Sequence, residues 1–124
     1  MADKKTFLNI FNTQLLNFVD DIILLWPSDN DFKVFKNAIV LLKKTNPRKI
    51  NTLFREYINK YRTKIQEKDE SFFLENEYQE LEKTENVLDT MDKLKKYWSK
   101  LSDINKEKIW EYFNLLIRIS DKIV

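Results

Sequence analysis

The stretch from Thr6 to Trp26, TFLNIFNTQLLNFVDDIILLW, constrains the fold more than any other part of the chain. If each residue advances by about 100°, its apolar side chains fall on one half of a helical cylinder. They are Phe7, Leu8, Phe11, Leu15, Leu16, Phe18, Val19, Ile22, Ile23, Leu25 and Trp26. A helix at the surface of a domain usually has an apolar stripe of only about 100°. We therefore expect this helix to contact two or more neighbours, as the central helix of a small bundle does.

Periodic apolar residues predict two further helices in the first half of the chain. The second helix is predicted to begin at Ser28, an N-cap residue type, with Asp31 in the capping-box position. The third is predicted to begin with Asn46 as its cap and Pro47 in the first helical position, where proline costs no hydrogen bond. Its apolar stripe continues to Gln66. These three helices form the predicted core of the fold.

The second half of the chain predicts a connector and a helical hairpin. In the connector, Glu67–Tyr78, Asp69 is placed to cap a short helical turn. The fourth predicted helix, Gln79–Leu101, has a heptad seam, and the fifth repeats its spacing after a turn at Ser102-Asp103. The seam residues are Val87, Met91, Leu94, Trp98 and Leu101 in the fourth helix, and Ile109, Phe113, Leu116, Ser120 and Ile123 in the fifth. We therefore expect these two helices to pack as an antiparallel hairpin.

The sequence thus predicts an all-α protein, a compact five-helix bundle with a C-terminal antiparallel helical hairpin. Its 124 residues fit one domain. We divide that domain into a three-helix core at 1–66, a connector at 67–78 and the hairpin at 79–124. No stretch shows the alternation of a β-strand.

Missing residue types exclude several functions. The chain contains no Gly, His or Cys. Glycine-rich phosphate loops, His/Cys zinc sites, disulfides and imidazole or thiol catalysis are therefore excluded. The adjacent Asp20 and Asp21 point about 100° apart on a helix, so they do not form a catalytic pair of carboxylates. We expect no enzymatic activity, no metal, no cofactor and no small-molecule substrate.

The N-terminal region does not have the pattern of a targeting segment. In MADKKTFLN and the residues after it, Asn9, Asn12 and Gln14 interrupt the apolar run that a signal peptide needs. Thr6–Trp26 is long enough to cross a bilayer, but its polar residues form a coherent stripe. We therefore expect no membrane span and no secretion.

Charge is unevenly distributed along the chain. Residues 33–65 contain ten basic side chains against Glu56 alone, a net charge of +9. Residues 66–92 contain ten acidic side chains against two lysines, a net charge of −8. The overall charge of +2 conceals this separation. We expect the acidic stretch to pair with basic helices of its own chain or of a second copy, so self-association is one expected mode of interaction.

A row of arginines is the main candidate partner-binding site. Arg48, Arg55 and Arg62 are seven residues apart, nearly opposite the apolar stripe of the third predicted helix. Guanidinium groups bind carboxylates and phosphates bidentately. Lys43 and Lys44 precede them at the end of the second predicted helix. Three interpretations stay open: a solvated charged face, a surface for an acidic protein, and a nucleic-acid surface without aromatic stacking.

Three tryptophans are candidate anchors for a partner, since tryptophan is favoured at binding hot spots. Trp98 and Trp110 lie on the apolar faces of the hairpin helices and are predicted to belong to the core. Trp26 stands before Pro27 at a helix end, and we include it among the candidate partner-binding residues.

Five segments between Phe7 and Tyr78 form a further pattern: FNTQLLNFVDDI, WPSDNDFKVFKNA, KTNPRKI, FREYINKY and DESFFLENEY. In these segments the chain resembles small helical proteins encoded by large double-stranded DNA viruses of algae and protists. The resemblance implies a viral product in the host cytoplasm or in the virus particle, and it carries no catalytic motif. We therefore expect a non-enzymatic interaction or structural protein, a minor component of the particle or of its assembly. The alternative is a nucleic-acid-binding accessory protein with a basic face on the second and third helices.

Overall fold

The computed structural model describes residues 3–74 and 89–123, and helices account for most of them. The helices are α1 (Lys4–Leu25), α2 (Asn30–Thr45), α3 (Pro47–Gln66), α4 (Ser71–Leu74), α5 (Asp89–Tyr97) and α6 (Asp103–Asp121), with a 3₁₀ turn at Trp98–Lys100 between the last two. The described residues form no strand, and the all-α class is confirmed. None of the helices in these two ranges has the length and apolarity that crossing a bilayer requires.

Helix α1 lies at the centre of the bundle and packs against α2, α3 and α6. The expectation that it contacts several neighbours is therefore confirmed. Its buried apolar residues all belong to the predicted arc; they are Leu8, Phe11, Leu15, Phe18, Val19 and Ile22. Leu25, at the end of that arc, is 37% exposed because the helix ends there.

Helices α2 and α3 pack on α1 through the apolar positions that their spacing predicts. Phe32 and Ile39 of α2 are buried. In α3 the buried apolar residues are Ile50, Phe54, Ile58 and Ile65. The Phe11 and Phe54 rings meet edge to face with their centroids 5.0 Å apart, which joins α1 to α3. These contacts form one continuous core with the rest of the molecule.

The short helix α4 contributes two buried aromatic side chains to this core. Phe72 meets the rings of Tyr57 and Tyr61 on α3. Phe73 stacks on Trp98 with 3.9 Å between the ring centroids. As predicted, Asp69 precedes this turn, and its Oδ1 accepts a hydrogen bond of 3.0 Å from the Ser71 amide.

Helix α6 runs antiparallel to α1 and also packs on α3. Tyr112 donates a hydrogen bond of 2.5 Å to Asp21, while Lys122 lies 5.3 Å from the centre of the Phe7 ring at the other end. Asp20 instead pairs with Lys36 of α2 at 2.7 Å. The two adjacent carboxylates therefore face different helices, as their helical separation predicts.

The predicted hairpin is described only in part. Helix α5 packs mainly against α2 and α4, whereas α6 packs mainly against α1 and α3. Leu94 and Trp98 of the predicted seam are buried, and Trp98 meets Trp110 of α6 at 5.3 Å. The start at Gln79 and the seam residue Val87 lie outside the described residues. The five-helix count and the antiparallel hairpin therefore stay predictions.

One predicted N-cap is wrong, and a second is at the predicted residue but makes no capping hydrogen bond. Helix α2 begins one residue later than predicted, because Asp29, not Ser28, is its N-cap. The Asp29 amide donates to the Trp26 carbonyl in a turn, and Asp29 Oδ1 accepts a hydrogen bond of 3.1 Å from the Asp31 amide. Asn46 and Pro47 occupy the predicted N-cap and first positions of α3, but the Asn46 side chain makes no capping hydrogen bond.

This difference predicts unequal effects of two cap substitutions. Ser102 is the N-cap of α6, and its Oγ accepts a hydrogen bond of 3.2 Å from the Asn105 amide. We expect Ser102→Ala to lower the free energy of unfolding by about 1 kcal/mol. Asn46→Ala should change it by less than about 0.5 kcal/mol, because no capping bond is lost. Urea denaturation of both variants tests this, and equal losses would contradict the assignment.

Candidate partner-binding groove

An open groove of about 740 Å³ runs between the first turns of α1, the first three turns of α3 and the residues after α6. We call it the cationic groove. Its charged lining consists of Lys4 and Lys5 from α1 and Arg48 and Arg55 from α3, opposed only by Glu56 among the described lining residues. Arg48 and Arg55 are two helical turns apart, about 10 Å along the axis of α3. The groove thus presents four cations over a short distance.

The floor of the cationic groove is apolar. Leu8 of α1, Pro47 at the start of α3 and Ile123 after α6 line it. Amide and hydroxyl side chains complete the described lining; they are Asn9, Asn51, Thr52 and Asn59. A groove of this kind can receive an apolar side chain on its floor while the cations at its rim bind carboxylates or phosphates.

Buried polar contacts hold the walls of the groove together. Asn51, 4% exposed, donates a hydrogen bond of 2.9 Å to Ser120 Oγ and joins α3 to α6. Asn12 of α1 is fully buried and donates to the Pro47 carbonyl at 3.4 Å. Because buried amides are costly to leave unpaired, the two donor contacts favour this arrangement of the three helices, although Asn12 Oδ1 has no hydrogen-bond partner among the described residues.

Arg62, the third arginine of the predicted row, lies outside the described lining of the groove. Its two terminal nitrogens donate to the two carboxylate oxygens of Asp121 at 3.0 and 2.9 Å. This hydrogen bonding raises the pKa of Arg62 above its ordinary value. Hydrogen bonding from Arg62 lowers the pKa of Asp121, and the charge of Arg55 adds a smaller effect. Arg62 therefore connects α3 to the end of α6.

The remaining candidate residues lie in other places. Lys43 and Lys44 are exposed at the end of α2 and are not among the described lining of the groove. Trp26 is half-buried and stacks on Tyr97 with 4.4 Å between the ring centroids. Trp98 and Trp110 are buried, which confirms their prediction as core residues.

A second charged cluster, at the junction of α2 and α5, was missed by the sequence analysis. The Lys93 side chain is only 4% exposed, and its Nζ lies 2.8 Å from Asp29 Oδ1 and 2.5 Å from Asp31 Oδ2. The Tyr97 hydroxyl donates a hydrogen bond to the other oxygen of Asp29. We call these four residues the Lys93 cluster. Lys93 is more than 60 residues from Asp29 and Asp31 in sequence, so no local pattern indicates the cluster.

The pKa values in the Lys93 cluster reflect burial opposed by pairing. Burial acts to lower the pKa of Lys93, but hydrogen bonds to Asp29 and Asp31 outweigh it and raise that pKa. Burial acts to raise the pKa of Asp29, yet hydrogen bonds from Lys93 and Tyr97 lower it. The bond to Asp29, with burial, raises the pKa of Tyr97. Each charged group is thus stabilised by a partner, and the cluster connects α5 to the start of α2.

Comparison of the chain with models of known protein families, with curated proteins and with solved structures gives no match. The resemblance to viral helical proteins stays a prediction.

Proposed function

We propose that the chain is a non-enzymatic interaction protein whose cationic groove binds an acidic segment of a protein partner. The observation that supports this proposal is the combination of four cations with an apolar floor in a single groove. Carboxylates bind to Arg48 and Arg55 through bidentate hydrogen bonds, and an apolar side chain of the same segment packs on Leu8 and Ile123.

An acidic protein segment fits the groove better than a nucleic acid does. Proteins that bind single strands stack bases on exposed aromatic rings, and no aromatic residue is among the described lining of the groove. Tyr57 and Tyr61 of α3 instead pack against Phe72, away from Arg48 and Arg55. Nucleic-acid binding through phosphates alone, with the exposed Lys43 and Lys44, is the alternative function.

A structural role in a virus particle belongs to the same proposal and rests on the sequence resemblance alone. An interaction protein without catalytic machinery suits a minor component of a particle or of its assembly. Mass spectrometry of purified virus particles tests this role. Detection of the chain in the particles would support the role. Absence of the chain would refute the role in the particle, and the binding activity of the groove would still be tested separately.

The groove is tested by titrating the full chain with two fluorescent probes, an amphipathic peptide of Glu and Leu and a duplex DNA. We expect the peptide to bind, and Arg48→Glu with Arg55→Glu to weaken it by at least about tenfold, or 1.4 kcal/mol. The matched control is Lys43→Glu with Lys44→Glu, which makes the same change of charge outside the groove. It should alter the peptide affinity by less than about twofold.

Salt dependence separates the two candidate functions. DNA affinity falls with a logarithmic slope of about −0.9 per neutralised phosphate, so it collapses between about 50 and 200 mM salt. We expect the peptide to lose far less over this range, because apolar contacts on the groove floor are not screened. Preferred binding of the DNA with a steep slope would favour the alternative, and no binding of either probe would refute both.

A further inference from the structure

We infer that the acidic partner is a second copy of this chain, and that residues 75–88 of one copy bind the cationic groove of the other. The inference rests on the proposed function, since it names the occupant of the same groove. The sequence of this segment is ENEYQELEKTENVL. It contains five glutamates against Lys83 alone, a net charge of −4.

Segment and groove are complementary in two respects. The four cations of the groove, less Glu56, give it a charge of +3 against the −4 of the segment. The segment also carries apolar side chains among its glutamates, Tyr78 and Leu81 in particular, which match the apolar floor. Complementary charge orients the two copies as they meet, and apolar contact strengthens the complex once it forms.

The positions of the flanking helices favour binding between copies over binding within one copy. Helix α4, which precedes the segment, packs through Phe72 on the Tyr57 side of α3. Tyr57 is nine residues from Arg48, or about 180° around a helix, so the groove lies on the opposite face of α3. Helix α5, which follows the segment, is held at the start of α2 by Lys93. No described residue of α2, α4 or α5 lines the groove.

In this contact the groove of one copy meets a different surface of the other. If two copies exchange segments reciprocally, both contacts are satisfied, the interface is isologous and a symmetric dimer results. If the exchange is not reciprocal, the contact is heterologous and the copies form rings or longer assemblies. Both the dimer and the longer assemblies require Arg48 and Arg55 to bind the acidic segment. Arg62, by contrast, already forms an ion pair with Asp121 of its own chain. We therefore leave Arg62 unchanged in the test.

A charge-exchange experiment on the full chain tests the inference by sedimentation. The groove variant is Arg48→Glu with Arg55→Glu, and the segment variant is Glu80→Lys with Glu82→Lys. We expect the unmodified chain to associate at about 50 µM in low salt and each variant alone to sediment as a monomer. A one-to-one mixture of the two variants should recover part of the association, because the acidic segment of the groove variant meets the unchanged basic groove of the segment variant, while the segment of the second variant, with no net charge, is not repelled by the altered groove.

The control is the Lys43→Glu, Lys44→Glu variant, which should associate like the unmodified chain. A monomeric unmodified chain at this concentration, or a mixture that stays monomeric, would overturn the inference. Association that is indifferent to both salt and charge reversal would overturn it as well, because it would indicate an apolar interface. In each of these cases binding of the Glu and Leu peptide by the groove would still support the proposed function, so the two proposals fail separately.

Discussion

Replacing Lys93 with Met should lower the free energy of unfolding by about 3 kcal/mol at neutral pH, because it removes the cation that two partly buried carboxylates share. The Asp29 side chain is 13% exposed and receives hydrogen bonds from both Lys93 and Tyr97. Asp31 is 37% exposed, so solvent screens part of its charge and the loss should fall at the lower end of the range for buried pairs. Methionine keeps most of the side-chain volume, so the loss reports on charge rather than on a cavity.

The pH dependence of this loss follows from the direction of the pKa shifts. In the unmodified chain the pKa of Asp29 is lowered from its ordinary value of 3.8. A lowered carboxyl pKa contributes stability that is present above the ordinary value and is lost as the pH falls through the folded value. Without Lys93 the hydrogen bond and the charge that lower this pKa are lost, so the pKa of Asp29 should be higher in the variant than in the unmodified chain. Acid should therefore destabilise the unmodified chain below about pH 4, and the deficit of the variant should shrink as the pH falls from 7 to about 3.

Urea denaturation across this pH range measures both effects. Lys100→Met removes an exposed lysine nearby and should cost less than about 0.5 kcal/mol. Adding Asp29→Asn and Asp31→Asn to Lys93→Met should recover part of the loss, because the negative charges that Lys93 balanced are removed while asparagine, like aspartate, is a favoured N-cap residue for α2. A Lys93→Met loss as small as the control, or one that grows as the pH falls from 7 to about 3, would contradict the cluster.

The parts of the fold that the sequence predicts are those in which one helix face is buried along its whole length. The apolar arc of α1 and the spacing of Ile109, Phe113 and Leu116 in α6 each agree with the buried residues. Local rules were less reliable at helix starts. Ser28 and Asp29 are both good caps, and the turn that joins Asp29 to Trp26 decides between them.

The candidate site depended on contacts that no local pattern contains. The spacing of Arg48 and Arg55 identifies them, but Lys4, Lys5 and Ile123 join them only because the start of α1 and the end of the antiparallel α6 both lie beside α3. The same tertiary arrangement places Asp121 next to Arg62. The seven-residue spacing of Arg48, Arg55 and Arg62 would be the same if all three were exposed. It does not indicate that two of them line a groove while the third forms an ion pair. Periodicity identifies the face of a helix, whereas packing decides what that face contacts.

Replacing Trp98 with Ala should destabilise the fold by about 3–5 kcal/mol, a large part of the total stability of a small domain. Trp98 is 1% exposed and contacts two buried aromatic residues and one exposed carboxylate. Its ring stacks on Phe73 at 3.9 Å and meets Trp110 at 5.3 Å, and its indole nitrogen donates to Glu70 at 3.3 Å. Removing the ring leaves a cavity at the junction of α4 and α6, and the aromatic contacts add to the loss.

Two further variants identify the source of this loss. Trp98→Phe keeps an aromatic ring against Phe73 and removes the N–H donor, so we expect it to cost much less than Trp98→Ala, about 1–2 kcal/mol. Leu74→Ala, at a side chain that is 57% exposed, should cost less than about 0.5 kcal/mol. Far-UV circular dichroism and tryptophan fluorescence should report coincident unfolding transitions in all three variants. A Trp98→Ala loss below about 1 kcal/mol, or transitions that separate, would mean that α4 and the Trp98 turn open independently of the bundle.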